Sequence, residues 1–308
     1  MNETKKIIIP GGSGYLGHYL AKFFEKLGYS VVILSRKEKP NEGNISCLKW
    51  DGATIDKWMS EFEGAEAVIN LTGKSVDCRY NEKNKKEILS SRLNATRAVG
   101  LAIQQCKNPP KVWLNAASAT IYRHSEDKDM DEIEGEIGTG FSVEVCKAWE
   151  KTFYDLETER TRKIALRIAI VLGAEGGALI PLLNLVKIGM GGKQGNGNQY
   201  FSWIHIADFA AIIVFILANE NINGNINCAS HNPLINKEIM QTMRKTWGIK
   251  IGIPIPKFLL EIGAILIQTE TELILKSRRV VPKRLLDAGF HFKYPDLDNA
   301  LKNIKEKL

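Results

Sequence analysis

Apolar residues in the first 172 positions gather in short runs without polar alternation, separated by stretches of helical periodicity. Such runs are typical of strands buried on both faces of a helix-covered parallel sheet. The predicted strands are Lys6–Pro10, Val31–Leu34, Ser46–Trp50, Ala67–Leu71, Val112–Asn115 and Ile164–Leu172. The predicted helices between them are Tyr15–Leu27, Asn84–Gln105 and Ser142–Glu159. This alternation predicts an α/β fold with a doubly wound parallel sheet.

The pattern changes after Leu172, where a glycine-rich loop and further helices replace the regular alternation. We predict a first domain at residues 1–172, to which residues 203–229 return. A smaller, mainly helical lobe would comprise residues 173–202 and 230–308, interleaved with the first domain. In open α/β sheets such a lobe closes over the strand ends, where ligands bind.

The apolar helical residues of this second lobe include Phe258, Leu259, Ile262, Ile265 and Leu266. We expect them to be covered, because a contiguous exposed apolar patch favours aggregation. The segment from about Asn232 should therefore dock over the cleft as part of one cooperative unit.

The composition of the chain indicates an ordinary globular protein. Hydrophobic residues make up 44% of the chain and charged residues 25%, which are ordinary globular values. No apolar run approaches the ~18 residues that a membrane span needs, so we expect no membrane partner. The chain passes from Met1 through two lysines into a strand, which predicts no signal peptide and a cytoplasmic protein.

The net charge of +7 comes from basic residues interleaved with acidic ones, which indicates a solvated surface rather than a nucleic-acid site. A positive field also favours an anionic cofactor or substrate. The five cysteines are widely spaced and form no C-x-x-C pair, so we expect free thiols in a reducing compartment and no metal site.

A glycine turn follows the first strand, with glycines at Gly11, Gly14 and Gly17. Gly11 would permit the tight turn, Gly14 would let the backbone approach a pyrophosphate, and Gly17 would let the helix pack against the strand. The helix that starts at Tyr15 and Leu16 would offer free amides and its positive dipole end to phosphates. The sequence therefore predicts a dinucleotide site.

The end of the second strand, Ser35-Arg36-Lys37, decides between two dinucleotides. A site selective for NAD places an acidic residue there to accept from the ribose hydroxyls. Here a hydroxyl and two cations stand instead, which suits the 2′-phosphate of NADP. An ordinary basic loop is the alternative.

The spacing of the three glycines and the segment from Asn115 to Tyr122, with its S-A-T-I-Y sequence, resemble the extended, epimerase-type branch of the short-chain dehydrogenase/reductases. Further segments resemble one bacterial group in it, the epimerase family proteins, which has a carboxy-terminal domain of unknown function and a human atypical relative. These segments are Tyr80–Arg92, Cys146–Glu150, Glu175–Ala178, Ser202–Asp208 and Val281–Phe290. The resemblance implies a Rossmann-type fold, bound NADP and an oxidoreductase or epimerase without a settled substrate.

The resemblance also implies positions for the cofactor. It places Ser35 and Arg36 at the adenosine phosphate, and Leu71 and Thr72 beside the ribose on the adenine side. Three further residues would line the cofactor site: Glu87, Arg92 and, at the nicotinamide end, Ile168. From the sequence alone, Arg92 is equally explained as a surface residue paired with an acid, and Glu87 as a solvated helical side chain.

The superfamily's catalytic Tyr-x-x-x-Lys pair is missing, since none of the eight tyrosines has a lysine four residues later. Alignment through Trp149 puts Ser142 at the tyrosine position and Cys146 at the lysine position. By resemblance, Ser118 would bond the reacting oxygen next to the nicotinamide. Tyr122 is the candidate substitute for the missing tyrosine, with a packing role as its alternative.

Two hypotheses remain open at this stage. The first is an NADP-dependent oxidoreductase or epimerase acting on a small polar substrate, nucleotide-linked substrates included. The second is a non-catalytic protein that binds NADP(H) and signals its state to a partner. A complete substrate lobe and Ser118 favour the first, while the missing tyrosine and lysine favour the second. The sequence predicts neither the substrate nor the oligomeric state.

Overall fold

The structure, a computed structural model, describes residues 5–266, 270 and 272–308. The strands are β1 (Lys6–Pro10), β2 (Ser30–Ser35), β3 (Ile45–Lys49), β4 (Ala67–Asn70), β5 (Val112–Ser118), β6 (Arg162–Ile168), β7 (Ile170–Leu172), β8 (Tyr200–Phe201), β9 (Trp203–His205), β10 (Gly224–Cys228) and β11 (Leu234–Ile235). The α-helices are α1 (Tyr15–Lys26), α2 (Glu82–Gln105), α3 (Phe141–Asp155), α4 (Leu179–Lys187), α5 (Ile206–Ala218), α6 (Asn236–Trp247), α7 (Lys257–Leu266), α8 (Glu272–Leu275), α9 (Lys283–Asp287) and α10 (Leu297–Lys305). Short 3-10 turns occur at Lys57–Phe62 and Ala119–Ile121.

Seven parallel strands form the main sheet in the order β10-β6-β5-β4-β1-β2-β3. The chain builds outward from β1 to β3, then returns to β4 on the other side of β1. The order therefore reverses between β1 and β4, and ligands of open α/β sheets bind in the crevice at such a point. The predicted doubly wound parallel sheet is confirmed.

The sheet is buried on both faces because consecutive apolar residues of each strand point to opposite sides. Ile7 and Ile9 pack with the helices α1 and α5, while Ile8 packs with α2 and α3. Phe24 and Phe153 are fully buried, one on each side. The absence of polar alternation in the strands follows directly from this two-sided burial.

The longest predicted strand, Ile164–Leu172, is two strands. At Ala169 the chain leaves the main sheet: the Ala169 amide still donates to Cys228, but the Ile170 amide donates to Ser202. β7 then pairs with β9 in a separate two-stranded sheet. The sequence prediction was wrong here because an apolar run does not reveal which partner strand each half will find.

A further hydrophobic cluster lies outside the main sheet, where α4, α6 and α10 pack around the buried Trp203. Leu183, Met240 and Leu301 contribute one buried side chain from each helix. Asp208 of α5 ties this cluster to the sheet, because its carboxylate accepts from the amides of residues 293 and 294.

The exposure of the apolar side chains of α7 differs from the prediction. We expected its apolar residues to be covered, but Phe258, Leu259 and Ile262 are 59%, 43% and 52% exposed. Leu260 is buried, at 8% exposure. Phe258, Leu259 and Ile262 are thus directed to the solvent, while the side chains of Ile265 and Leu266 lie outside the described part of the chain.

Candidate functional site

The glycine turn between β1 and α1 is fixed by close backbone contacts. Gly11 has φ +76°, and a Cβ at this position would lie 2.8 Å from the backbone of Thr72. Its amide donates to Leu34, and the Gly12 amide donates to Ile9. A side chain at Gly17 would meet the backbone of Gly12, so the helix can pack on the turn only with glycine there.

Gly14 is different, because a Cβ there would meet only the Gly11 carbonyl oxygen, at 3.8 Å. Its φ of −79° is also accessible to any residue. Neither packing nor backbone conformation therefore demands glycine at this position. Gly14 caps α1 without a side-chain hydrogen bond, which leaves amides of the first helical turn for a ligand. The open space beside these amides fits a dinucleotide pyrophosphate.

The Tyr15 side chain points away from this open space. It packs against Gly173, Gly176 and Gly177, and a Cβ at Gly173 would collide with its hydroxyl. In the described part of the chain, the buried Tyr15 hydroxyl has no hydrogen-bond partner. Burial raises the pKa of Tyr15. Only the backbone of Tyr15 is therefore available to the turn, while Leu16 follows it on the first helical turn and is partly buried.

Ser35 and Arg36 end β2 at the same edge of the sheet as the glycine turn. The Ser35 side chain is buried, and its hydroxyl accepts from the Lys37 amide at 3.3 Å. Arg36 is exposed. The two residues thus form a bent strand end from which a cation extends into the solvent, which is compatible with a 2′-phosphate.

Leu71 and Thr72 form the opposite wall of the glycine turn. The Leu71 amide donates to Pro10 at 2.9 Å, and the Thr72 amide is held by the Asn70 side chain at 3.1 Å. The Thr72 hydroxyl is buried and finds no partner among the described residues. The structure therefore places Thr72 against Gly11 and Leu71 beside Pro10, while their position beside the ribose stays a prediction.

Glu87 and Arg92 lie on α2 and face different partners. Glu87 pairs with Lys74, whose hydrogen bond and charge lower the pKa of that carboxyl. The Arg92 guanidinium donates to the carbonyls of Lys74 (3.0 Å) and Ile88 (2.9 Å) and lies 5.0 Å from the ring centroid of Trp149. Burial lowers the pKa of Arg92, and no described carboxylate pairs with it.

Ser118 is the last residue of β5, and Ile168 is its register partner at the end of β6. The Ser118 hydroxyl accepts from the Thr120 amide at 3.2 Å, which leaves its own proton to donate. Both residues are partly exposed. This pair lies at the carboxyl edge of the sheet, where the resemblance places the nicotinamide end of the cofactor.

Tyr122 does not line the carboxyl edge of the sheet at Ser118 and Ile168, which we call the cleft. Its side chain is fully buried, its hydroxyl donates to Asn227 at 2.9 Å, and Arg167 donates to it at 2.9 Å. Arg167 in turn makes a bidentate pair with Glu150, both bonds being 2.8 Å. Burial raises the pKa of Tyr122. A phenol held in this way has no access to a ligand, so the packing alternative accounts for Tyr122 better.

The positions of the family's missing pair lie on the first turns of α3. Ser142 donates from its hydroxyl to the Glu272 carboxylate at 3.0 Å. Cys146 is buried beside Ala119, and burial raises the pKa of its thiol to about 12. Cys146 is thus a neutral thiol at physiological pH and takes no part in proton transfer.

Sequence reasoning missed Glu272, which lies 130 residues from Ser142. No local signal would have found it, because an isolated glutamate in a helical segment is usually solvated. Tyr80 was noted only as part of a family segment. The Tyr80 amide donates to Glu270, two residues before Glu272.

The described residues contain no group of His, Cys, Asp or Glu that could hold a metal ion. All five cysteines are free thiols. No helix in the described ranges is long and apolar enough to cross a membrane.

Comparison with known proteins shows which proteins the whole chain is similar to. A family model for the NAD dependent epimerase/dehydratase family matches residues 7–229, and one for a domain of unknown function (DUF1731) matches residues 255–304. The chain is 34% identical over 302 residues to the epimerase family protein YfhF of Bacillus subtilis, covering 97% of both chains. It is 30% identical to the human epimerase family protein SDR39U1, covering 97% of this chain and 99% of the relative.

Among solved structures, a crystal structure of human SDR39U1 (isoform 2) with NADPH matches with a TM-score of 0.86 at 30% identity. The match covers 98% of this chain and all of the other. A nucleoside-diphosphate sugar epimerase from Corynebacterium glutamicum matches with a TM-score of 0.78 at 25% identity, over 98% of this chain and 58% of that one. Both matches extend over the sheet and the helical lobe together.

Proposed function

The chain belongs to the NAD dependent epimerase/dehydratase family, and we propose that it binds NADP(H) and acts as an oxidoreductase or epimerase on a small polar substrate. One observation carries the proposal. Gly14 stands at the free amino terminus of α1, where neither packing nor backbone conformation requires a glycine. A ligand that needs the space of the missing side chain explains the residue.

The choice of NADP over NAD rests on Ser35 and Arg36. No acidic side chain stands at the end of β2, and Arg36 extends freely from it. A guanidinium binds a phosphate through charge-assisted hydrogen bonds, whereas it has little to offer a ribose hydroxyl. The NADPH bound to the human relative supports the same choice for this chain.

When bound, the nicotinamide would supply and accept hydride at the edge of the sheet near Ser118 and Ile168. Ser118 would donate its free hydroxyl proton to the oxygen of a substrate carbonyl. No cation contacts Ser118 among the described residues to lower the pKa of its hydroxyl. Ser118 therefore polarises the carbonyl but does not serve as the base at neutral pH, which predicts slow turnover.

Titration calorimetry of the full chain with NADP and NAD tests the cofactor assignment. We expect tighter binding of NADP, and Arg36→Ala should weaken NADP by ~10- to 100-fold while leaving NAD nearly unchanged. Lys26→Ala removes an exposed cation at the far end of α1 and serves as the matched control. Equal affinity of the wild type for both cofactors would contradict the assignment.

A second candidate function is a non-catalytic NADP(H) sensor. The observation that favours it is the Ser142–Glu272 hydrogen bond, which occupies the place of the family's reactive tyrosine with an internal contact. Transfer of deuterium from labelled NADPH into a pool of candidate carbonyl compounds separates the two. Incorporation supports the enzyme, and tight binding without incorporation across the pool supports the sensor.

A further inference from the structure

Two glutamates, Glu270 and Glu272, contact segments that lie 190 and 130 residues away in the chain. Glu270 accepts from the Tyr80 amide at 2.8 Å and pairs with Arg79 at 3.3 Å. Glu272 accepts from the Ser142 hydroxyl at 3.0 Å. The first contact fixes the loop that follows β4, and the second reaches the amino-terminal turn of α3.

The two contacts differ in what surrounds them. The other Glu272 carboxylate oxygen faces the Lys276 ammonium at 3.2 Å and the Arg278 guanidinium at 3.6 Å. The Arg278 side chain is only 11% exposed, whereas Glu272 is 32% exposed. A partly exposed carboxylate therefore enters a pocket whose donors are a hydroxyl, an ammonium and a buried guanidinium.

The Arg278 guanidinium lacks hydrogen bonds in this arrangement. Its Nε and Nη2 are buried and have no hydrogen-bond partner among the described residues, and the 3.6 Å to Glu272 is too long for a hydrogen bond. Burial lowers the pKa of Arg278. An unbonded buried guanidinium is costly, and a planar oxyanion that met both nitrogens would relieve that cost.

A second buried cation lies close by. Burial raises the pKa of the Cys146 thiol, and the charges of Arg92 and Arg278 both act against this rise. Arg92 has no carboxylate partner in the described part of the chain. Glu272 is the one carboxylate that pairs with Arg278 among the described residues.

We propose that Arg278 and its neighbours bind an acidic group of the substrate, a carboxylate or a phosphate. Until the substrate arrives, Glu272 fills this position as an internal ligand. Ser142, which donates to Glu272, stands where the resemblance places the family's catalytic tyrosine. We therefore assign the anion pocket to the same cleft as Ser118. The inference rests on the proposed function, since it names the substrate class of that cleft.

Displacement of Glu272 would break its contacts with Ser142, Lys276 and Arg278. Substrate binding would thus replace an internal ligand of Arg278 with the acidic group of the substrate.

Titration calorimetry of the full chain, with and without NADP, tests the pocket with two probes, malonate and inorganic phosphate, at matched ionic strength in chloride. Glu272→Gln keeps the shape of the side chain but removes its charge, so it should raise the affinity for the better probe by ~10-fold or more. Arg278→Gln in the Glu272→Gln background should abolish this binding. The probe bound more tightly identifies the acidic group.

Glu270→Gln is the matched control, because it changes the net charge equally in the same segment without touching Arg278. Its effect on probe affinity should stay below ~3-fold. Equal gains for Glu270→Gln and Glu272→Gln, or no binding of either probe to Glu272→Gln, would overturn the proposal. Loss of NADP binding with intact anion binding would instead count against the proposed function alone. Circular dichroism melting of each variant ensures that only folded protein is compared.

Discussion

Gly17 lies so close to Gly12 that a Cβ on Gly17 would be 2.4 Å from the Gly12 Cα. Gly14, three residues earlier, would place its Cβ no closer than 3.8 Å to the Gly11 carbonyl oxygen. The same glycine motif thus contains one residue required by the fold and one that the fold does not require.

This difference predicts opposite results for two alanine substitutions. Gly17→Ala should destabilise the protein by about 1–3 kcal/mol, because the backbone of the turn must move. Gly14→Ala should change the free energy of unfolding by about 1 kcal/mol or less. It should nevertheless weaken NADP by ~10-fold or more, since the methyl group occupies the space for the pyrophosphate. Urea unfolding and calorimetry measure the two effects, and unchanged NADP affinity in Gly14→Ala would remove the main support for the cofactor site.

Ser118 is expected to act in the reaction and not in cofactor binding. Its hydroxyl lies at the end of β5, away from the turn that would hold the phosphates. Ser118→Ala should therefore abolish deuterium transfer from NADPH while its affinity for NADP stays within ~3-fold of the wild type. Ser118→Thr keeps a hydroxyl and should retain part of the activity. Full activity in Ser118→Ala, once a substrate is known, would contradict the assignment.

Tyr122 should prove to be a stability residue. Tyr122→Phe leaves Asn227 and Arg167 each short of one hydrogen bond, at a cost of about 1–3 kcal/mol. Glu150→Gln should cost more, about 3–5 kcal/mol, because the 6% exposed Arg167 loses its counter-charge. Urea unfolding of both variants gives these values. Loss of activity in Tyr122→Phe at unchanged stability would instead support a role of the Tyr122 hydroxyl in proton transfer.

The parts of this structure that the sequence predicted depend on local pattern. The turn at Gly11 and the strand β1 are encoded within a dozen residues, and both were predicted with their bounds. The same holds for the start of α1 at Tyr15. Hydrophobic runs and glycine spacing carry this information because a strand, a turn and a helix start are set by neighbouring residues.

The parts that were missed depend on residues far apart in the chain. Glu272 meets Ser142 across 130 residues, and Tyr122 meets Asn227 across 105. The break at Ala169 depends on Ser202, which draws β7 into another sheet. Such contacts follow from the packing of whole elements, so no local pattern indicates them. The direction of the Tyr15 side chain was missed for the same reason, since it is set by three glycines beyond residue 172.

The last prediction concerns acid stability and His205, which is 1% exposed and caps the amino terminus of α5. Its Nδ1 accepts from the Ala207 amide at 3.1 Å. Burial, with Lys307 and Lys293 nearby, lowers the pKa of His205 to about 4 from its usual 6.5. Between these values the unfolded chain binds a proton that the folded chain does not. The free energy of unfolding should therefore fall as the pH drops from 6.5 towards 4, by roughly 3 kcal/mol in all from this residue.

His205→Asn should flatten that part of the pH profile, because asparagine caps a helix well and does not titrate. Asp208, whose pKa is raised by burial, contributes with the opposite sign near the acid end of the range and remains in the variant. His291→Asn removes an exposed histidine and is the matched control, with an unchanged slope expected. Urea unfolding at several pH values between 4 and 7 measures the slopes. A His205→Asn slope equal to that of the wild type would contradict the prediction, because it would mean that His205 binds its proton equally in the folded and unfolded chains.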